Sequence, residues 1–138
     1  MKNQFVKDWM TRDLVVISSK TTLPEAYKIM KERRIRRLPV VDGGKLAGIL
    51  TLGDVREASP SDATSLSIYE LNYLLAKLSV DRIMTRKVLS VGPDTTIREA
   101  ARMMLENKIG GLPVVEIGKV VGMLTESDIF RMVVQDWE

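Results

Sequence analysis

A stretch near the start of the chain returns near its end. At an offset of 74 positions, Val6 to Asp54 aligns without a gap on Val80 to Asp128. Met10-Thr11-Arg12 returns as Met84-Thr85-Arg86, and Thr21-Thr22-Leu23-Pro24-Glu25-Ala26 as Thr95-Thr96-Ile97-Arg98-Glu99-Ala100. Leu38-Pro39-Val40-Val41 returns unchanged as Leu112-Pro113-Val114-Val115, and Gly48-Ile49-Leu50-Thr51-Leu52-Gly53-Asp54 answers to Gly122-Met123-Leu124-Thr125-Glu126-Ser127-Asp128. Separated blocks that recur in the same order and spacing mean that one small unit has been built twice. Any fold for this chain must therefore have two like halves.

Each copy reads as strand, helix, strand, strand, helix. The short apolar runs Leu14 to Ile17 and Val88 to Val91 predict strands. Thr22 with Glu25, and Thr96 with Glu99, have capping-box spacing and open helices whose apolar faces carry Ala26, Ile29 and Met30, or Ala100, Met103 and Met104. Pro24 is compatible with a first helical turn. Leu-Pro-Val-Val then makes a short buried strand. Turns at Gly43-Gly44 and Gly118-Lys119 lead into hairpin partners over Leu46 to Leu50 and Val120 to Leu124. Between the copies, Ala58 to Thr64 reads as a loop. Ile68, Leu71, Leu74, Leu75 and Leu78 then fall at helical spacing in Ser67 to Leu78, a helix expected to pack on the fold, with a dimer face as the alternative. The expected division is residues 1–66, the first copy with its trailing loop, and 67–138, the connecting helix with the second copy.

Composition narrows the chemistry. There is no cysteine and no histidine, which removes disulfides, thiol nucleophiles, the usual zinc ligands and histidine acid–base catalysis. No Gly-x-x-x-x-Gly-Lys loop is present, and no residues single themselves out for catalysis, so the expectation is a protein that is not an enzyme. The net charge of +3 suits an anionic ligand. One basic run, Arg33 to Arg37, with two phenylalanines in the whole chain, argues against nucleic-acid binding. With neither an 18-residue apolar run nor a secretory leader, a cytoplasmic protein away from membranes is expected.

Three motifs, Val-x-x-(Ile/Trp)-Met-Thr, Leu-Pro-Val-Val and Gly-hydrophobic-Leu-Thr-x-x-Asp, occur in order in both copies, from about Val6 to Arg131. In this combination the chain resembles a tandem pair of CBS domains, a Bateman module. The resemblance implies an α/β (α+β) fold of two β-α-β-β-α repeats with pseudo-two-fold symmetry, packed through their sheets. It also implies a non-catalytic regulatory role: AMP, ADP, ATP or S-adenosylmethionine bound in clefts between repeats, with occupancy passed to a separate, unknown regulated protein. No cofactor is required, and magnesium accompanying the nucleotide is an open option. A homodimer is implied as well.

By the same resemblance, Asp54 and Thr51 hold the ribose in one cleft, and Asp128 and Thr125 in the other. Each cleft borrows from the opposite copy, Thr95 and Ala100 joining Asp54, and Thr21 and Ala26 joining Asp128. Ile49, Met123 and the Val-Val strands flank the adenine. Chemically, a carboxylate can accept from both ribose hydroxyls. The competing reading of Thr-x-x-Asp is a helix cap and nothing more. The copies differ before Leu-Pro-Val-Val, where Arg36-Arg37 stands against Gly110-Gly111. Arg36 and Arg37 are expected to reach phosphate and make the Asp54 cleft the better site for a charged nucleotide, while Arg33 and Arg34 read as a helix end. The rival function is a homodimeric interaction module without nucleotide, using Trp9, Trp137 and a C-terminal helix over Ile129 to Val134.

Overall fold

The computed structural model describes residues 4–58, 73 and 75–136. The expected linker loop beyond Ala58, most of the Ser67 to Leu78 helix and Trp137 lie outside these residues, and Ala58 itself, expected in the loop, ends a helix. The elements are α1 (Val6–Trp9), α2 (Leu23–Arg33), β1 (Arg37–Asp42), β2 (Lys45–Thr51), α3 (Leu52–Ala58), a 3-10 turn (Val80–Arg82), α4 (Ile97–Asn107), β3 (Gly111–Glu116), β4 (Lys119–Thr125) and α5 (Glu126–Asp136). The two sheets are antiparallel hairpins, β1 with β2 and β3 with β4.

Capping sets the helix starts where the sequence placed them. The Thr22 side chain accepts from the Glu25 N–H, and Thr96 from the Glu99 N–H, meeting donors that the first helical turn leaves open. Both helices end on a left-handed residue, Arg34 at φ 56° and Lys108 at φ 55°. Leu38, Val40 and Leu50, with Leu112, Val114 and Leu124, are fully buried, which ties each hairpin to a core.

The expected strands at Leu14 to Ile17 and Val88 to Val91 contract to single parallel bridges, Ile17 with Val40 and Val91 with Val114. The reason is a missing donor. Ile17 bonds the Pro39 carbonyl and the Val41 N–H, and extending the ladder upstream needs an N–H at residue 39, which proline lacks. Pro113 stops the second copy in the same way. The second hairpin turn also differs from expectation. Glu116 pairs with Lys119, so the turn is Ile117-Gly118, and Lys119 belongs to β4. Both turn residues have positive φ, 51° and 77°, as do Gly43 and Gly44 at 58° and 79°, which is what a two-residue hairpin turn of this twist requires.

The chain forms two compact units, residues 1–14 with 89–138, and residues 15–88. These units do not follow the sequence repeats, because each repeat body is completed by the other copy's leader. Val6 and Met10 enter the core of Val91, Ile97, Ala100, Met104, Leu112, Val114 and Leu124. Val80 and Met84 enter that of Ile17, Leu23, Ala26, Met30, Leu38, Val40 and Leu50. Reciprocal backbone bonds fix each leader to a hairpin edge: Thr11 with Met123 at 2.8 and 3.0 Å, and Thr85 with Ile49 at 2.9 and 2.9 Å. Burying a valine or methionine side chain is worth roughly 1.5 to 3 kcal/mol, so the leaders are integral to the cores they enter. Leu75 and Leu78 pack against the second of these cores, as expected of the connecting stretch, while Tyr73 is exposed.

Candidate functional site

In the unit of residues 15–88, β2 ends at Thr51 and α3 begins at Leu52. Cross-strand pairing sets Arg37 opposite Thr51, and the Leu52 N–H bonds the Arg36 carbonyl at 2.9 Å. Arg36, Arg37 and Thr51 thus meet around one turn. With Leu52, Gly53 and Arg56 they line a cavity of about 270 Å³. Arg56 was not singled out in the sequence, because its role depends on the first turn of α3 lying beside the start of β1. Three arginines among the six residues that line one small cavity favour an anion there. The equivalent positions of the other copy are Gly110, Gly111 and Phe130.

Asp54 and Thr51 form a reciprocal cap. The Thr51 N–H donates to Asp54 Oδ2 at 2.9 Å, and the Asp54 N–H donates to Thr51 Oγ1 at 3.0 Å. The capping alternative is therefore realised in the structure. It uses half of the carboxylate. Oδ2 also receives a long contact of 3.5 Å from the Thr85 hydroxyl of the docked leader, while Oδ1 has no partner among the described residues. The leader threonines were quoted in the sequence as part of a motif, and their position beside the acids emerges only from the exchange of leaders.

Asp128 is held differently. It is 2% exposed. Oδ2 accepts from the Thr125 N–H at 2.9 Å and the Thr125 hydroxyl at 3.3 Å. Oδ1 faces Arg131 Nη2 at 3.1 Å and the Thr11 hydroxyl at 3.4 Å. Arg131 also donates to the Trp9 carbonyl at 3.0 Å. Trp9, a dimer contact in the rival reading, is half-buried and packs against the core of its own unit.

The remaining candidates lie as follows. Ile49 and Met123, each 8% exposed, sit on β2 and β4 where the leaders pair. Ala26 and Ala100 are fully buried on α2 and α4. The Thr21 hydroxyl accepts from the Ser18 N–H, and that of Thr95 from the Gly92 N–H, both at 3.1 Å. Thr95 lines a second cavity, of about 540 Å³, with Gly92, Glu99, Arg102 and Met103 among its walls. The pairings expected across the copies, Thr95 and Ala100 with Asp54, and Thr21 and Ala26 with Asp128, join residues of different units. Arg33 closes α2 and Arg34 caps it, in keeping with their reading as a helix end. Among the described residues, no group of three or more acidic side chains could hold a metal ion, and no helix is long and apolar enough to cross a membrane.

Two like α/β units, each closed by a leader and carrying a Thr-x-x-Asp turn after its hairpin, define a duplicated module. The family model of the CBS domain matches it twice, at residues 6–61 and 80–135. The chain belongs to the CBS domain family. A CBS domain-containing protein of Dictyostelium discoideum is 34% identical over 132 residues, covering 94% of this chain and 91% of that protein. Other relatives are longer. The chain spans 23% of the inosine-5′-monophosphate dehydrogenase of Korarchaeum cryptofilum, at 35% identity, and 47% of an uncharacterized protein of Methanocaldococcus jannaschii, at 30% identity. Among solved structures, a CBS domain pair in complex with 5′-methylthioadenosine and S-adenosyl-L-methionine matches with a TM-score of 0.80 and 31% identity, covering 97% of this chain and 98% of that one. CBSX2 in complex with AMP matches with a TM-score of 0.82 and 29% identity, covering 96% and 97%. CBSX2 is a CBS-pair protein of Arabidopsis thaliana.

Proposed function

We propose that this chain is a non-catalytic regulatory module that binds an adenosine-containing nucleotide at the Thr51–Asp54 turn and signals its occupancy to a separate protein in the cytoplasm. The observation that carries this reading is the half-used carboxylate of Asp54 on the turn whose Thr51, Leu52 and Gly53 line a cavity with Arg36, Arg37 and Arg56. A ribose diol donates two hydrogen bonds and a phosphate accepts several, so an acceptor and a cluster of guanidinium groups side by side match the two ends of a nucleoside phosphate. Related CBS pairs in complex with AMP, and with S-adenosyl-L-methionine and 5′-methylthioadenosine, support the adenosine class. Of these, the guanidinium cluster favours a phosphorylated one. Ile49 and Val41 supply apolar surface for the base.

A thermal-shift titration against AMP, ADP, ATP, adenosine and S-adenosylmethionine, with GMP as control, tests the reading. A ligand confined to the folded state adds about 2.7 kcal/mol of stability at a hundred times its dissociation constant, so a concentration-dependent rise with an adenine compound and none with GMP is expected. No rise with any of them, from nucleotide-free protein, contradicts it.

The rival reading, a homodimeric interaction module, is favoured by Phe130 and Val134. They stand one turn apart on α5 and are 65% and 57% exposed. Light scattering coupled to size exclusion separates the two readings when run with and without AMP. A dimer that Phe130→Ser converts to monomer, with no thermal shift by any nucleotide, selects the rival.

A further inference from the structure

The equivalent aspartates of the two copies differ in what is left for a ligand: among the described residues, Asp128 has Arg131 and the Thr11 hydroxyl on Oδ1, where Asp54 has no partner. Three residues beyond Asp128 stands Arg131, and three beyond Asp54 stands Glu57. We propose that Arg131 is a built-in occupant of Asp128, taking the acceptor edge that a ribose diol would need, so that the chain binds one ribose-bearing ligand, at Asp54. This rests on the reading of Thr51–Asp54 as the ribose site.

An ionised carboxylate offers about four lone-pair directions. At Asp128 all four are engaged, by the Thr125 N–H and hydroxyl on Oδ2 and by Arg131 and the Thr11 hydroxyl on Oδ1. Its side chain is 3% exposed. Arg131 cannot swing away freely, because the same Nη2 that faces Asp128 bonds the Trp9 carbonyl, and its guanidinium lies 5.9 Å from the centre of the Trp9 ring. Opening Asp128 would therefore also loosen the leader from α5. At Asp54 only Oδ2 is engaged among the described residues, by the Thr51 N–H and a long contact from the Thr85 hydroxyl. Glu57 is an exposed acid that cannot donate to a carboxylate, Oδ1 is unpartnered among the described residues, and Asp54 is only partly buried.

Isothermal titration with AMP tests the proposal. Wild type is expected to bind one AMP per chain, and Asp54→Ala to weaken it by about ten- to a hundredfold. Adding Arg131→Gln to Asp54→Ala is expected to open Asp128 and restore one site. Glu57→Arg, at an exposed position that leaves the core intact, transplants the occupant and is expected to weaken AMP by about tenfold or more, against the attraction of its added positive charge for phosphate. Two sites per chain in wild type, of which Asp128→Ala removes one, overturn the inference and leave the nucleotide reading standing. So does Glu57→Arg binding AMP as well as or better than wild type. No binding of AMP or S-adenosylmethionine by wild type or any variant overturns the nucleotide reading, and this inference with it.

Discussion

Gly48 on β2 lies so close to Thr85 of the docked leader that a Cβ at residue 48 would stand 2.8 Å from the Thr85 carbonyl oxygen and 2.8 Å from Met84 Sδ. At the matching place, a Cβ on Gly122 would stand 2.6 Å from Met10 Sδ but 3.1 Å from the Thr11 carbonyl. A thioether can turn aside, whereas a carbonyl held by reciprocal bonds to Ile49 cannot. Gly48→Ala is therefore expected to destabilise the protein by about 1 to 3 kcal/mol, and Gly122→Ala by less, in urea denaturation. Equal losses would mean that backbone approach is not what the glycines serve.

Phosphate binding at the cavity lined by Arg36, Arg37 and Arg56, as proposed, predicts a ligand-dependent loss. Replacing Arg36 and Arg37 together by Ala should weaken AMP far more than adenosine, since each charge-assisted hydrogen bond is worth about 1.5 to 3 kcal/mol and adenosine has no phosphate to lose. Calorimetric titration of both ligands decides it. An equal loss for both would remove these residues from the phosphate.

Ile117 holds left-handed backbone at φ 51° and is 95% exposed, a conformation in which a β-branched residue crowds its own carbonyl. Ile117→Asn keeps the turn without that crowding and is expected to raise stability by up to about 1 kcal/mol. A fall in the melting temperature would contradict the turn assignment.

Acid should weaken the unit of residues 15–88 in a definite window. Hydrogen bonds from Ser19 hold the Asp42 carboxyl below the ordinary carboxylate range, and bonds from the Ser79 hydroxyl and Lys20 do the same for Asp81. A lowered folded-state value contributes stability above the ordinary value, and that contribution is lost as pH falls through the lowered one. The gap in urea midpoint between wild type and Asp42→Asn should be steady above about pH 5 and narrow below about pH 4. A gap that widens on acidification would contradict the assignment.

The repeat made the two-unit fold legible, and Thr22 and Thr96 cap the helices they were expected to cap. What the sequence could not tell was which copy each leader completes. Val6 and Val80 occupy equivalent places in equivalent cores, so pattern alone does not distinguish a leader kept from a leader exchanged. The strand at Leu14 to Ile17 was overread because its apolar run says nothing of the donor missing at Pro39. At the site, Thr51, Asp54, Arg36 and Arg37 were legible as motif and charge. Arg56 and Arg131 were not, and Thr85 was legible as motif but not as a neighbour of Asp54, since each reaches its place through a helix turn or an exchanged segment. Arg56 and Arg131 by residue type alone read as ordinary surface.

The central claim is that Asp54 serves a ribose as well as a helix start, and Asp54→Ala separates the two roles. The decisive measurement is the dissociation constant of AMP by calorimetry for wild type and this variant, with the melting temperature of each. Our account predicts a loss of affinity of about ten- to a hundredfold, beyond whatever stability the missing cap costs. A lowered melting temperature with the AMP affinity unchanged would show Asp54 to be a cap alone.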